Sequence, residues 1–346
     1  MQSDEAAVKD LPLDAPVVAV DIGGTYLRAA VCDAAGVHGQ LRVLTPLRAP
    51  DVVPAIAELV RPLVSADTVA VGVSATGPVD VRTGALLDVP NAPGLSHLRL
   101  RDGLEERVGR PVLVERDTNA ALLAECAVGA ARGLRHVVYL TLSTGVGGAV
   151  LVDGRLLRGA RGFAGELGHV VVQVGGPVCG CGRRGCLEAV ASGSGLARAA
   201  EALAVAHPDS SFGRLRASRA ATGGMPLAGS DVAALARPAG AVAGDPYAVA
   251  LIDAAQAAFV SIVVDILNVL DPELVVVGGS IARAFPDWLT TAEAAACDSG
   301  LVSVTGRHFV APAAVGEDAE LVGAALVAAD RSRRTSVGDQ SAFKTL

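Results

Sequence analysis

Val17-Val-Ala-Val-Asp-Ile-Gly-Gly-Thr25 is the stretch from which the fold is read. An apolar, β-branched run that ends in a carboxylate, two glycines and a threonine reads as a buried strand entering a tight turn. Leu27–Cys32 then resumes as a second strand. The same grammar returns downstream. His136–Thr144 is a β-branched run that stops at Gly145-Val-Gly-Gly148, and Ala149–Val152 resumes as a strand. The match between Asp21-Ile-Gly-Gly-Thr25 and Ser143-Thr-Gly-Val-Gly-Gly148 predicts a weak internal repeat, one hairpin in each of two domains. A third strand, Leu274–Val277, also ends on glycines, at Gly278-Gly279-Ser280.

Between these hairpins the chain reads as an α/β unit. Asp51–Val64 has helical spacing of apolar residues, Thr68–Val73 is a short β-rich run, and Pro111–Glu115 is a strand before a helix at Thr118–Val128. From about Ala199 to Pro246 the chain is rich in Ala, Gly, Pro and Ser and reads as helices joined by a loose loop, with Ser230 capping a short helix to Ala236. Ala248–Leu270 is a long helix. Its Asp253, Gln256, Ser261, Asp265 and Asn268 make it a core helix rather than a membrane span. Glu317–Asp330 is the last helix, before a polar tail.

Length and composition bound the function. At 346 residues, with 51% hydrophobic and 19% charged residues, the chain can fold into about two domains. The net charge of −7 argues against a general phosphate-neutralising surface for nucleic acid, and 3% aromatics leave little for base stacking. The N-terminal MQSDEAAVKD has neither the basic nor the apolar region of a secretory signal, so a cytoplasmic protein without a membrane partner is expected. Forty glycines, about 12% against a usual 7%, require an explanation.

The glycine turns offer one. A glycine pair after a strand lets backbone N–H groups approach a phosphate, and a threonine adds a donor. Asp21, Gly23, Gly24 and Thr25 fit such a cradle, as do Thr144, Gly145 and Gly147, with Gly278 and Gly279 as a third. Each alone could equally be an ordinary hairpin turn. No G-x-x-x-x-G-K-[ST] occurs, which excludes the lysine-centred P-loop mechanism. A literal G-x-G-x-x-G does occur at Gly180–Gly185, but it is interleaved with cysteines and reads better as part of a metal knuckle.

His169, Cys179, Cys181 and Cys186 form H-x9-C-x-C-x4-C. Three thiolates and an imidazole suit tetrahedral zinc, and four protein ligands fill the sphere, so a structural ion is expected. Cys32, Cys126 and Cys297 read as small core residues. Around the knuckle stand polar side chains able to hold a polyol: Asn91, Asp117, Glu166 and Glu188. Asp117 follows a strand, where a carboxylate can take the proton of a hydroxyl attacking phosphorus; the competing reading is a helix cap.

With these residues assembled, the chain resembles the ROK family of sugar kinases, within the actin-like, hexokinase-type ATPase fold. The resemblance rests on Asp-Ile-Gly-Gly-Thr at 21–25, Gly-Glu-Leu-Gly-His at 165–169 and Cys-Gly-Cys-Gly-Arg-Arg-Gly-Cys-Leu-Glu at 179–188, and runs from about Val17 to Asp330. It implies an α/β, ribonuclease H-like fold of two domains with a cleft between them and a zinc loop. The expected division is a tail at 1–16, a small domain at 17–117 rejoined by a helix at about 317–330, a larger domain at 118–316 holding the zinc loop 169–186, and a tail at 331–346. The implied cofactors are ATP, Mg²⁺ and a structural Zn²⁺. Asp117 would be the general base, and Asn91, Asp117, Glu166, His169 and Glu188 would bind the sugar, His169 using its other ring nitrogen on zinc. Asp21 would orient water around Mg²⁺, Thr25 and Thr144 with their glycines would hold phosphates, and Gly278-Gly279 would pack against the adenosine.

The expected reaction is phosphorylation of a hexose, glucose foremost, at its primary hydroxyl. Alternatives are another sugar or a sugar-like cyclitol as acceptor, polyphosphate as donor, or a sugar-binding regulator without catalysis. ROK repressors carry a helix-turn-helix domain before the first motif; only about twenty residues precede Asp21 here, which favours a kinase. A homodimer or homotetramer is implied. Three positions depart from the family pattern: Tyr26 where Lys is common, Thr76 where Pro is usual, and Arg116 where Asn precedes the aspartate. A cation beside Asp117 would lower its pKa and weaken it as a base unless its side chain points to solvent.

Overall fold

The structure, a computed structural model, describes residues 8–46, 49–87, 89, 93–237, 243–298 and 309–336. Strand β1 (Val17–Ile22) is buried at every residue, as its valines and isoleucine dictate. Strand β2 (Tyr26–Asp33) returns antiparallel to it, Val17 opposite Cys32 and Ile22 opposite Leu27. Strand β3 (Gly36–Leu44) adds to the far edge of β2. Helix α1 (Ala49–Val60) leads to β4 (Val71–Ala75), which lies parallel to β1. A small hairpin, β5 (Val79–Asp80) with β6 (Ala85–Leu86), and helix α2 (Leu100–Val108) precede β7 (Val112–Arg116), parallel to β4. Helix α3 (Asp117–Val128) follows at once.

The second half repeats the plan. Strands β8 (Val137–Leu142), β9 (Val146–Val152) and β10 (Arg155–Leu156) are consecutive neighbours in a second sheet. Helices α4 (Leu187–Ala191), α5 (Gly193–Ala206), α6 (Ser211–Thr222), α7 (Gly229–Ala236) and α8 (Pro246–Leu270) then precede β11 (Leu274–Gly278). After α9 (Ser280–Ala284) and α10 (Asp287–Asp298) come β12 (Val310–Pro312) and α11 (Ala319–Ser336). The two sheets have orders β3-β2-β1-β4-β7 and β10-β9-β8-β11-β12. In each, the first hairpin strand is joined by two parallel strands on its other side. The repeat read from two glycine turns is therefore a duplication of a five-stranded sheet.

Two units emerge. The first runs to Leu134 and includes Val150–Ala164 and the chain from Ala313; the second comprises Arg135–Ala149 and Gly165–Pro312. Helix α3 thus belongs with the N-terminal unit, although the sequence reading began the second domain at residue 118. The reason is packing: α11 lies along α3 and across β1, β4 and β7. The core of the first unit includes Val18, Val20, Ile22, Leu27, Ile56, Val71, Val73, Leu100, Leu104 and Val114.

Within the second unit, α8 buries Ala248, Ile252, Ala255, Phe259, Ile262, Val263 and Ile266, an apolar stripe at helical spacing. Asp245 caps it, its carboxylate accepting from the N–H groups of Tyr247 and Ala248 at 3.0 and 3.1 Å. Among the described residues this is the one helix long and apolar enough to cross a membrane. Its buried stripe instead meets α4, α7 and α10. The Ala- and Gly-rich stretch before it forms α5, α6 and α7. Ser230 is not the cap of α7: that helix starts at Gly229, and Asp231 accepts from the Ala228 N–H at 2.7 Å. Helix α11 extends to Ser336, past the expected start of the tail.

Candidate active site

In the first unit, Asp21 is the penultimate residue of β1 and is buried, while Gly24 and Thr25 are exposed in the turn that follows. The turn is held at both ends. Gly23 N–H donates to the Tyr26 carbonyl at 3.0 Å, Thr45 Oγ1 donates to the Gly23 carbonyl at 2.7 Å, and Thr45 N–H to the Thr25 carbonyl at 2.9 Å. The outer arc of the loop is thereby left open toward solvent. Tyr26 stacks its ring under the Arg42 guanidinium, 3.4 Å from the ring centroid.

Strand register lines up a polar row across this otherwise apolar sheet. Arg28 of β2 is opposite Asp21, Asp21 is opposite Ser74 of β4, and Ser74 is opposite Glu115 of β7. Arg28 donates to Asp21 Oδ2 from Nε at 3.1 Å and from Nη2 at 2.8 Å. It also reaches the Glu317 carbonyl at 2.6 Å, just before α11, and Glu320 Oε2 at 3.4 Å, in the first turn of α11. Burial pushes the Asp21 carboxyl above the ordinary carboxylate range, and Arg28 pulls it back. Burial also pushes Glu320 up to about 7, helped by the Asp21 carboxylate and opposed by Arg28. Reading the sequence did not find Arg28, Ser74 or Glu320. The available signal was a charge or hydroxyl inside an apolar strand run.

Asp117 opens α3 directly after β7 and is half-buried, its Oδ1 accepting from the Thr118 N–H at 2.7 Å. Arg116, not Asp117, stands at the cap position, and no side chain caps the helix. Arg116 is buried at 4% exposure, so it does not turn to solvent. Beside Asp117, Thr118 Oγ1 and Asn119 Oδ1 are buried without a hydrogen-bond partner. Unpaired acceptors at a helix N-terminus, next to a carboxylate and in the unit that holds Asp21, fit a polar ligand such as a hydrated Mg²⁺ with phosphates. Asn91 lies outside the described residues.

In the second unit the remaining glycine turns come together. The turn between β8 and β9 carries Thr144, Gly145 and Gly147. The start of α5 is bonded to it, Gly193 N–H to the Ser143 carbonyl at 2.8 Å and Ser194 N–H to the Thr144 carbonyl at 3.0 Å. Ser143 Oγ lies 3.2 Å from Ser280 Oγ, directly after Gly278 and Gly279. Gly279 has φ of 98° and caps α9. Two turns read separately from the sequence are thus one wall of backbone.

Glu188, in the first turn of α4, accepts from the Val146 N–H at 3.1 Å through Oε2. Its Oε1 lies 4.0 Å from Cys179 Sγ. Glu166 and His169 flank a short helical turn, Leu167–His169, with His169 Nε2 4.0 Å from Glu166 Oε2. The opposite ring nitrogen, Nδ1, faces Cys179 Sγ at 3.6 Å, and Cys181 Sγ is 3.7 Å from Cys186 Sγ. The four ligand atoms lie within 4.8 Å of one another. A tetrahedron with Zn–S bonds of about 2.3 Å has edges of roughly 3.8 Å, so these spacings fit a zinc ion. Backbone bonds from Cys179 N–H to the Arg183 carbonyl at 2.8 Å and Leu187 N–H to the Val170 carbonyl at 2.9 Å fix the knuckle against the His169 segment. Cys32 and Cys126 have thiols pushed up to about 12 by burial, in keeping with inert packing residues. Cys297, expected in the core, is exposed at the end of α10.

Known proteins resemble this chain over most of its length. The family model described as the ROK family matches residues 17–331. A glucokinase from Thermotoga maritima is 36% identical over 263 residues, 75% of this chain and 79% of the relative. An N-acetylmannosamine kinase from Citrobacter koseri is 37% identical over 318 residues, 90% of this chain and 98% of the relative. The crystal structure of a ROK family glucokinase from Streptomyces griseus, in complex with glucose and AMPPNP, superposes with a TM-score of 0.69 at 34% identity, covering 90% of this chain and 99% of that one. With a duplicated sheet, two glycine turns at matching strand ends and a Cys/His cluster of zinc spacing, the chain belongs to the ROK family.

Proposed function

We propose that this sugar kinase transfers the terminal phosphoryl group of ATP to the primary hydroxyl of a hexose, glucose foremost, giving glucose 6-phosphate. The carrying observation is the placement of two glycine turns at equivalent ends of two equivalent sheets, with Asp117 at the end of β7 in the first. When bound, ATP with Mg²⁺ supplies the phosphoryl group and neutralises its charge. The chain supplies position and electrostatics. Gly24 and Thr25 offer backbone and hydroxyl donors to phosphate oxygens, with the Gly23 N–H spent on closing their turn, and Thr144, Gly145 and Gly147 line the other. Asp21, gripped at Oδ2 by Arg28, would orient a cation-bound water. Asp117 takes the proton of the attacking hydroxyl. Glu166, His169, Glu188 and Asn91 would hold the sugar hydroxyls, His169 through Nε2, while its Nδ1, which faces Cys179 Sγ, would be the nitrogen that holds zinc. Zinc would fix that ring nitrogen and the knuckle and takes no part in the transfer.

A second acceptor, N-acetylmannosamine, is favoured by the kinase from Citrobacter koseri, which matches more of this chain than the Thermotoga glucokinase does. An ADP-release assay with glucose, mannose, fructose, N-acetylmannosamine and cyclitols, run with ATP and with polyphosphate, separates these readings. Turnover with glucose and ATP is expected. Sugar binding without turnover on any acceptor would overturn the kinase reading in favour of a regulator. Asp117→Ala should abolish turnover and leave sugar binding largely intact; retained turnover would remove the base assignment.

A further inference from the structure

Glu115 is the penultimate residue of β7 and only 2% exposed, yet it carries no part of the scheme above. A buried carboxylate is costly unless paired and fully bonded. Glu115 meets that condition through four donors. Its Oε2 accepts from Arg158 Nε at 3.0 Å and Nη2 at 2.7 Å. Its Oε1 accepts from Asn119 Nδ2 at 2.8 Å and from the Arg116 N–H at 3.1 Å. One carboxylate therefore grips the chain on both sides of Asp117, at the residue before it and at the residue two after it.

Arg158 comes from far along the sequence, in the segment after β10 that belongs to the first unit. That segment is a closed loop: Leu157 N–H donates to the Val150 carbonyl at 2.8 Å, and Ala164 N–H to the Arg158 carbonyl at 3.1 Å. Gly162 seats it, since a Cβ there would lie 2.7 Å from the Val79 carbonyl oxygen. The guanidinium is thus delivered by a loop whose backbone is already fastened at its base, which brings Arg158 within reach of Glu115.

We propose that Glu115 and Arg158 are positioning residues for Asp117: their ion pair fixes the corner between β7 and α3 and cancels a buried charge two residues from the base. This rests on reading Asp117 as the base. Besides this pair, the charges near Asp117 include Arg116, its chain neighbour at the end of β7, and Glu320 of α11, itself bonded to Arg28, with Asp21 also coupled to Glu320. These stay the same in the variants below.

The two partners make opposite predictions. Arg158→Met leaves Glu115 uncompensated, which raises the proton affinity of Asp117 and moves the acid limb of the kcat–pH profile to higher pH. Glu115→Gln leaves Arg158 uncompensated and moves that limb to lower pH. Both should lower kcat about 10- to 100-fold with KM for sugar within about threefold, as expected for lost orientation. Arg158→Lys, which keeps the charge and loses the paired geometry, should return the limb to its wild-type position. If Arg158→Met does not fold by thermal melt, Glu115→Gln and Arg158→Lys carry the test. Acid limbs that stay in place, or move the same way in both variants, would overturn the proposal and leave a merely structural ion pair. Should Asp117→Ala keep turnover, the base reading falls and this inference with it; an inactive Asp117→Ala with unmoved limbs removes this inference alone.

Discussion

Substituting Gly168 by alanine tests how tightly the segment proposed to hold the sugar is referenced to the turn proposed to hold the second phosphate contact. Gly168 lies beside His169 and presses on Val146, the residue whose N–H is held by Glu188. A methyl group there would overlap the Val146 carbonyl oxygen and stand 2.9 Å from its carbonyl carbon, where ordinary contact begins at 3.4 Å. Backbone cannot swing aside as a side-chain tip can, so Leu167–His169 must retreat by about half an ångström at the carbon and by more at the oxygen. Overpacking of this kind costs about 1–3 kcal/mol, which lowers the melting temperature by several degrees. Misplacement approaching 1 Å at groups that orient a substrate costs up to about 100-fold. Gly168→Ala should therefore lower kcat/KM for the sugar by about 10- to 100-fold. Gly180, between Cys179 and Cys181, has no neighbour within 4 Å of a would-be Cβ. Gly180→Ala in the same knuckle should stay within about twofold of wild type. Steady-state kinetics, zinc content and melting curves on the two variants decide it. Wild-type sugar kinetics in Gly168→Ala, or equal damage in Gly180→Ala, would refute the reasoning.

Stripping the metal with a chelator should weaken sugar binding and lower the melting temperature, and adding Zn²⁺ should restore both; a zinc-free protein that binds sugar normally would contradict the role given to Cys179, Cys181 and Cys186. Glu320 sets a pH dependence of stability. Its carboxyl is raised from an ordinary 4.5 to about 7, so the folded state holds that proton more tightly than the unfolded chain. The resulting stabilisation is fully present below about pH 4.5 and is lost as pH rises through about 7. Glu320→Gln should be more stable than wild type above pH 7, with the difference vanishing toward pH 4.5. Urea midpoints across that range measure it, and parallel curves would refute it.

What could be read in advance was what is local. The strand into Asp21, the glycine turn and the return strand lie within one short segment, and so do the three cysteines of the knuckle. Residues that matter through register were not legible. Arg28, Asp21, Ser74 and Glu115 come from four strands, and only pairing places them side by side. Arg158 meets Glu115 from a separate loop, and no spacing rule connects them. Strand β3 was missed because Gly36–Leu44 is an edge strand with mostly exposed or half-exposed residues, lacking the apolar run that marks a central strand. Helix α2 escaped because its Gly103 and charged residues leave only Leu100 and Leu104 buried.

The three-piece composition of the first unit has a kinetic consequence. Helix α11 covers β1, β4 and β7 and packs along α3, yet it is made some three hundred residues after β1. At roughly 5–20 residues per second of synthesis, the first sheet waits on the order of 15–60 s for its covering helix. For that interval the apolar faces of β1 and β4 are exposed to the crowded surroundings of the ribosome, while most of the second unit, largely one uninterrupted segment, can already have folded. The half of the molecule that is translated first is therefore the half that finishes last, and its yield should depend on whatever shields nascent chains.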